Sequence, residues 1–164
     1  DDASIQNQIN RLSKSHNGSS FPAHITIIGG IPCQDEDEVY QIANILEQGL
    51  TGFGPIPCHF SSNPKSFAKT WNQALIVTLD DISEPFVDLC ETSRYLLNLT
   101  PDCLYPPPVN LPHTSLFYGT KNIPDLTEVD PIAPFIASKV ALWITTPSTL
   151  RGVENWREID VIHL

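Results

Sequence analysis

Leu111-Pro112-His113-Thr114-Ser115-Leu116-Phe117-Tyr118-Gly119 reads as one β-strand. Its apolar, β-branched and aromatic residues are opened by a proline and closed by a glycine. A histidine stands where a core strand would take another apolar side chain. Strand side chains alternate between faces, so His113 and Ser115 point the same way. An imidazole beside a hydroxyl suits the handling of a phosphate or an acyl group.

The pattern occurs twice. Pro22-Ala23-His24-Ile25-Thr26-Ile27-Ile28-Gly29-Gly30 has the same grammar: His-x-Thr on a strand over 23–28, then a glycine stop. A lone strand histidine is usually a satisfied core or edge residue. Two in equivalent contexts, about half the chain apart, point instead to two similar halves, each presenting one motif to a shared cleft.

The remaining chain bounds what that cleft takes. With 164 residues, it is long enough for one domain over 1–164 with a real core. No apolar run approaches a membrane span, and no signal peptide opens the chain. It holds no methionine, so its start is processed or trimmed. Nine Lys+Arg against 19 Asp+Glu give a net charge of −10, which repels polyanions and leaves too few cations to track long nucleic acid. A small phosphorylated substrate held by dipoles and hydroxyls remains compatible. Cys33, Cys58, Cys90 and Cys103 contain no Cys-x-x-Cys pair, which argues against structural zinc. Reduced thiols in a cytoplasmic protein are expected.

The periodicity predicts α-β-α-β-β-α-β-β-β. Ile5, Ile9 and Leu12 mark a short first helix over 5–12. Asp35 and Glu38 form the start of a second, with Val39, Ile42, Ile45, Leu46 and Leu50 as its buried stripe. Residues 51–57 read as a turn, Cys58 to Phe60 as a strand and Asn63 to Ser66 as another turn. Trp71 to Leu79 reads as a covered central strand. Ser83 caps a third helix with Pro85 in its first turn. Residues 101–108 form a proline-rich connection, and 121–134 a long surface loop. Strands are expected at 135–144 and 156–162. Antiparallel strands with helices to one side make an α+β fold.

Two histidines facing one another can act as base and acid in a single step. One takes a proton from water, which attacks phosphorus; the other protonates the departing oxygen. Thr26 and Ser115 point into the same cleft and can donate to the non-bridging oxygens. A zinc site from His24, His113 and His59 or His163 lacks a convincing carboxylate or cysteine. His16 and His59 read as surface residues near turns. A serine nucleophile would need a Gly-x-Ser-x-Gly elbow, and none is present.

At Phe21 to Ile27 and Leu111 to Tyr118 the chain resembles the 2H phosphoesterase superfamily, and within it the plant and fungal cyclic phosphodiesterases. Ala141 to Thr146 with Glu154 to Arg157 is similar to their C-terminal hairpin. The resemblance spans roughly 5–164. It implies a bilobal α+β fold: two antiparallel sheets flank a central cleft, with helices outside and halves related by a pseudo-twofold axis. It implies hydrolysis of ADP-ribose 1″,2″-cyclic phosphate and of nucleoside 2′,3′-cyclic phosphates to 2′-phosphates, among by-products of tRNA splicing, without metal or cofactor. By that likeness His24 and His113 are catalytic, Thr26 and Ser115 bind phosphate, and Tyr118 contacts the nucleotide. Strict alternation puts Tyr118 on the wrong face, so that role needs a bulge or the strand end. Trp71 and Gln73 stand on a strand that borders the cleft, with Trp71 the more natural core residue. His113 is the favoured base.

Relatives usually open with a strand before the first helix; here the chain starts at what reads as the turn after it. Some plant relatives carry disulfides, which makes Cys90 with Cys103 a candidate pair. The expected partner is a small cyclic phosphate, with no long nucleic acid and no membrane, and the chain is expected to act as a monomer. The competing functions are a phosphodiesterase on 2′,5′-linked or RNA 3′-end substrates and a nucleotide-binding module without turnover.

Overall fold

The computed structural model of the chain describes residues 2–67, 74–99, 111–145 and 152–164. Trp71, Gln73, the proline-rich connection at 101–108 and Cys103 lie outside them. Three α-helices are present among the described residues: α1 (Asp2–His16), α2 (Glu36–Leu50) and α3 (Glu84–Leu96). Helix α1 is longer than the apolar spacing alone predicts. It ends where Asn17 turns left-handed (φ 56°) and the Gly18 N–H reaches back to the Ser13 carbonyl at 2.9 Å, a Schellman closure. Helix α2 starts as expected. The Asp35 carboxylate accepts from the Glu38 N–H at 3.0 Å, while the Glu38 carboxylate accepts from the Gln34 N–H at 2.8 Å. Val39, Ala43, Leu46 and Leu50 are its buried stripe; Ile45, expected there, is 42% exposed. Ser83 occupies the cap position of α3 with Pro85 behind it, but its side chain makes no capping bond. Instead its hydroxyl donates to the Pro57 carbonyl at 3.5 Å.

The strands are β1 (Ile56–Phe60), β2 (Lys65–Ser66), β3 (Leu75–Asp81), β4 (His113–Phe117), β5 (Phe135–Ala137), β6 (Lys139–Ile144) and β7 (Arg157–His163). The first five form one antiparallel sheet in which β3 pairs with β4, β2 and β1, and β1 also pairs with β5. Strands β6 and β7 make a separate antiparallel hairpin. The α+β class is therefore as expected. Four local readings differ. Residues 65–66, read as turn, form β2. Strand β1 begins at Ile56 and includes Pro57, which is tolerated because that part of β1 pairs with β5 alone. The run 135–144 is broken at Ser138, because Phe135–Ala137 pairs with β1 and Lys139–Ile144 with β7, so the chain changes sheets there. Residues 23–28 make a single bridge at Ile25 rather than a regular strand.

Strand β4 is the most deeply covered, every residue being at most 7% exposed. Helix α1 packs on it, α3 packs on β1, and α2 packs on α3 and β7. Ile9, Leu12, Leu75, Leu116 and Phe117 meet in the core beneath. Among the described helices none is long and apolar enough to cross a membrane.

Candidate active site

The two motifs are brought together by one bridge. Thr114 pairs with Val77 of β3 on one side and with Ile25 on the other, antiparallel. That register sets His24 opposite Ser115 and Thr26 opposite His113. Residues directly opposite in an antiparallel pair share a face, and so do residues two apart along either strand. All four side chains singled out from sequence therefore lie on one face, in a two-by-two array with the histidines on a diagonal. Sheet geometry puts such diagonal neighbours roughly 7–8 Å apart, their Cβ atoms somewhat closer. The local twofold axis of the bridge carries His24 onto His113 and Thr26 onto Ser115.

The two rings are held in the same way. His24 Nδ1 lies 2.7 Å from the Pro22 carbonyl oxygen, and His113 Nδ1 lies 3.0 Å from that of Leu111. In each case the acceptor sits two residues upstream. A carbonyl oxygen only accepts, so in both rings Nδ1 carries the hydrogen, and in the neutral ring the basic lone pair is on Nε2. Burial depresses both pKa values below 6.5 and the carbonyl bond partly offsets it; for His24 the nearby His113 lowers it further. Both rings are therefore shifted towards the neutral form.

The sequence leaves Tyr118 on the wrong face unless β4 bulges, and β4 does bulge. Its register with β3 slips between Ile76–Ser115 and Leu75–Phe117, leaving Leu116 as the extra residue. Tyr118 packs edge-on to Phe21 at 4.6 Å and to Trp156 at 5.9 Å between ring centroids, and Trp156 in turn meets His24 at 5.6 Å. The tyrosine thus belongs to the aromatic wall that flanks His24.

Two residues of this neighbourhood have no local signature in the sequence. Trp156, just before β7, borders His24, and its buried indole N–H has no hydrogen-bond partner among the described residues. Gln6 of α1 bonds the backbone of the segment leading to His24. Neither contact is visible from spacing, because each joins elements far apart in the chain. His16, read as a surface residue, is half-buried. It pairs with Glu128 at 2.9 Å and packs against the Phe117 ring at 6.1 Å. His59 is exposed. Among the described residues no three His, Cys, Asp or Glu side chains gather closely enough to hold a metal ion. A void of about 30 Å³, lined by Ser61, Val77, Asp130 and Ile132 among others, includes neither histidine; it has room for a water and no more.

No protein-family model matches the chain, and no curated protein matches it. The site stands on its own geometry.

Proposed function

We propose that this chain is a 2H-type cyclic phosphodiesterase. It hydrolyses small ribose cyclic phosphates, ADP-ribose 1″,2″-cyclic phosphate and nucleoside 2′,3′-cyclic phosphates, with His24 and His113 as its acid/base pair. The observation that carries this reading is the Ile25–Thr114 bridge, which sets both histidines and both hydroxyls on one face.

The chemistry follows from that array. A bound phosphodiester monoanion favours the charged form of a neighbouring imidazole, so substrate supplies what the depressed resting pKa values withhold: one proton on the pair. The neutral histidine takes a proton from water through Nε2. The water oxygen bonds to phosphorus as the bond to one ribose oxygen breaks. That oxygen receives the Nε2 proton of the other ring. The hydroxyls of Thr26 and Ser115 donate to the non-bridging oxygens as charge grows on them. The pair then exchanges its proton with solvent and is reset. In this scheme no metal or cofactor takes part.

The two-lobed arrangement belongs to the same proposal. The local twofold that relates the motifs supports it, as does the separation of β6 and β7 from the larger sheet. A monomer in the cytoplasm acting on a freely diffusing substrate fits the −10 charge.

The test is steady-state turnover of three substrates in EDTA: the ADP-ribose cyclic phosphate, a nucleoside 2′,3′-cyclic phosphate and a 2′,5′-linked dinucleotide. Turnover of a cyclic substrate with a bell-shaped pH profile supports the proposal. A profile flat from pH 5 to 9 would count against two titrating histidines. Turnover of the dinucleotide alone would move the reading to linear diesters, and tight binding of a 2′-nucleotide with no turnover would make the chain a binding module.

A further inference from the structure

We propose that Gln6 is the positioning residue of His24: its side-chain amide takes the place of a neighbouring strand and fixes the ring's tautomer and direction. The Gln6 Nε2–H donates to the Phe21 carbonyl at 2.9 Å, and Gln6 Oε1 accepts from the Ala23 N–H at 2.8 Å. These are the donor and acceptor that an adjacent β-strand would offer. The segment needs them, since its one bridge among the described residues is at Ile25.

In extended chain successive carbonyls point to opposite sides. Gln6 holds the Phe21 carbonyl and the Ala23 N–H on one side. The intervening Pro22 carbonyl is therefore turned to the other, where it accepts from His24 Nδ1 at 2.7 Å. Proline has no N–H of its own to compete for a place in this arrangement. The amide's orientation is determined on both sides, because Phe21 can only accept and Ala23 can only donate. Nε2 also donates to Asn10 Oδ1 at 3.1 Å, and that oxygen accepts from the Ser20 hydroxyl at 2.5 Å. The network runs from α1 to the imidazole with no gap. The strand of His113 is itself paired to β3.

A second glutamine on the same helix separates positioning from stability. Gln8 makes the same paired bonds, both at 3.0 Å, but to the backbone of Asp130. Gln6→Met and Gln8→Met each remove two backbone bonds while keeping the side chain's length. The readout that does not depend on activity is the tautomer of His24, from its carbon and nitrogen shifts in NMR spectra. The kinetic readout rests on the phosphodiesterase proposal. We expect Gln6→Met to shift His24 from the Nδ1–H towards the Nε2–H form. It should lower kcat about tenfold and leave KM within about twofold, the scale set by partners that orient a site's inner groups. Gln8→Met should leave both unchanged at a similar loss of stability. Gln6→Glu keeps the bond from Ala23 and loses the one to Phe21, and should lie between; it stands in if Gln6→Met does not fold. An unaltered His24 tautomer in the folded Gln6 variant, or an equal change in Gln8→Met, would overturn the proposal. If wild type turns over no cyclic phosphate, the phosphodiesterase reading fails and the tautomer alone still decides the role of Gln6.

Discussion

Gly18→Ala should destabilise the protein, although replacing glycine by alanine outside the left-handed region ordinarily stabilises. A Cβ at Gly18 would fall on the Phe117 ring, within contact of Cε2 and 2.9 Å from Cζ. The ring has nowhere to go. It is 1% exposed, and its opposite edge lies against Gly119, where an added Cβ would stand 2.5 Å from Cε1. Overpacking of this kind costs about 1–3 kcal/mol, and the smaller entropy of the unfolded chain returns about 0.4–1. At mid-range the net loss is about 1.3 kcal/mol, or a fall in Tm of about 3–5 °C for a chain of this size. Thermal melts and urea titrations read it directly. The cause is tested by repeating the substitution in Phe117→Leu, where the shorter side chain leaves room. The penalty should then shrink by at least about 0.5 kcal/mol, the scale of coupling between residues in contact. A Tm unchanged or raised by Gly18→Ala, or costs that simply add in the double variant, would refute the packing account of this end of β4.

Other consequences are as direct. Both site histidines have folded pKa values below the 6.5 of the unfolded chain, so below pH 6.5 the unfolded state binds more protons. Their contribution to stability is complete above pH 6.5 and is lost as pH falls towards the folded values. Urea midpoints between pH 7.5 and 5.5 should decline with acid in wild type and decline less in His24→Asn/His113→Asn; equal slopes would contradict the burial of the pair. Ser115→Ala and Thr26→Val should each lower kcat by about 10²-fold, the scale of one lost oxyanion donor, with unchanged KM; a rise in KM alone would make these hydroxyls simple binding groups. The exposed Cys33 thiol is pushed up by desolvation, then by the Glu38 and Asp35 carboxylates. Its maleimide labelling at pH 7 should be slower than that of a free cysteine and should quicken with salt, which screens the carboxylates; salt independence would remove the carboxylates as a cause.

What was legible in the sequence followed local rules. The Asp35–Glu38 cap and the end of β4 just before Gly119 each depend on neighbours a few residues away, and each is where it was expected. Rules of alternation also stated the condition for Tyr118, and the bulge at Leu116 supplies it. Readings failed where a distant element decides the outcome. The segment at 23–28 has the composition of a strand, but it makes one bridge, at Ile25, and the Phe21 carbonyl and Ala23 N–H bond the distant Gln6 side chain instead. Nothing around Ser138 announces that Phe135–Ala137 joins β1 while Lys139–Ile144 joins β7. Ile45 satisfies the helical spacing of the core stripe, yet it is Ala43 that is buried, because the direction from which α3 and β7 approach is a tertiary fact. Trp156 reads as one more aromatic at a strand start, and only the fold sets it beside His24.

The most direct measurement is phosphorus NMR of a nucleoside 2′,3′-cyclic phosphate incubated in EDTA with wild type, His24→Ala and His113→Ala. The account predicts that wild type converts the cyclic resonance to that of a 2′-phosphate monoester, and that each single variant is slower by at least about 10²-fold, as loss of a general acid or base requires. Conversion by either variant at the wild-type rate would contradict the claim that the two motifs form one catalytic site.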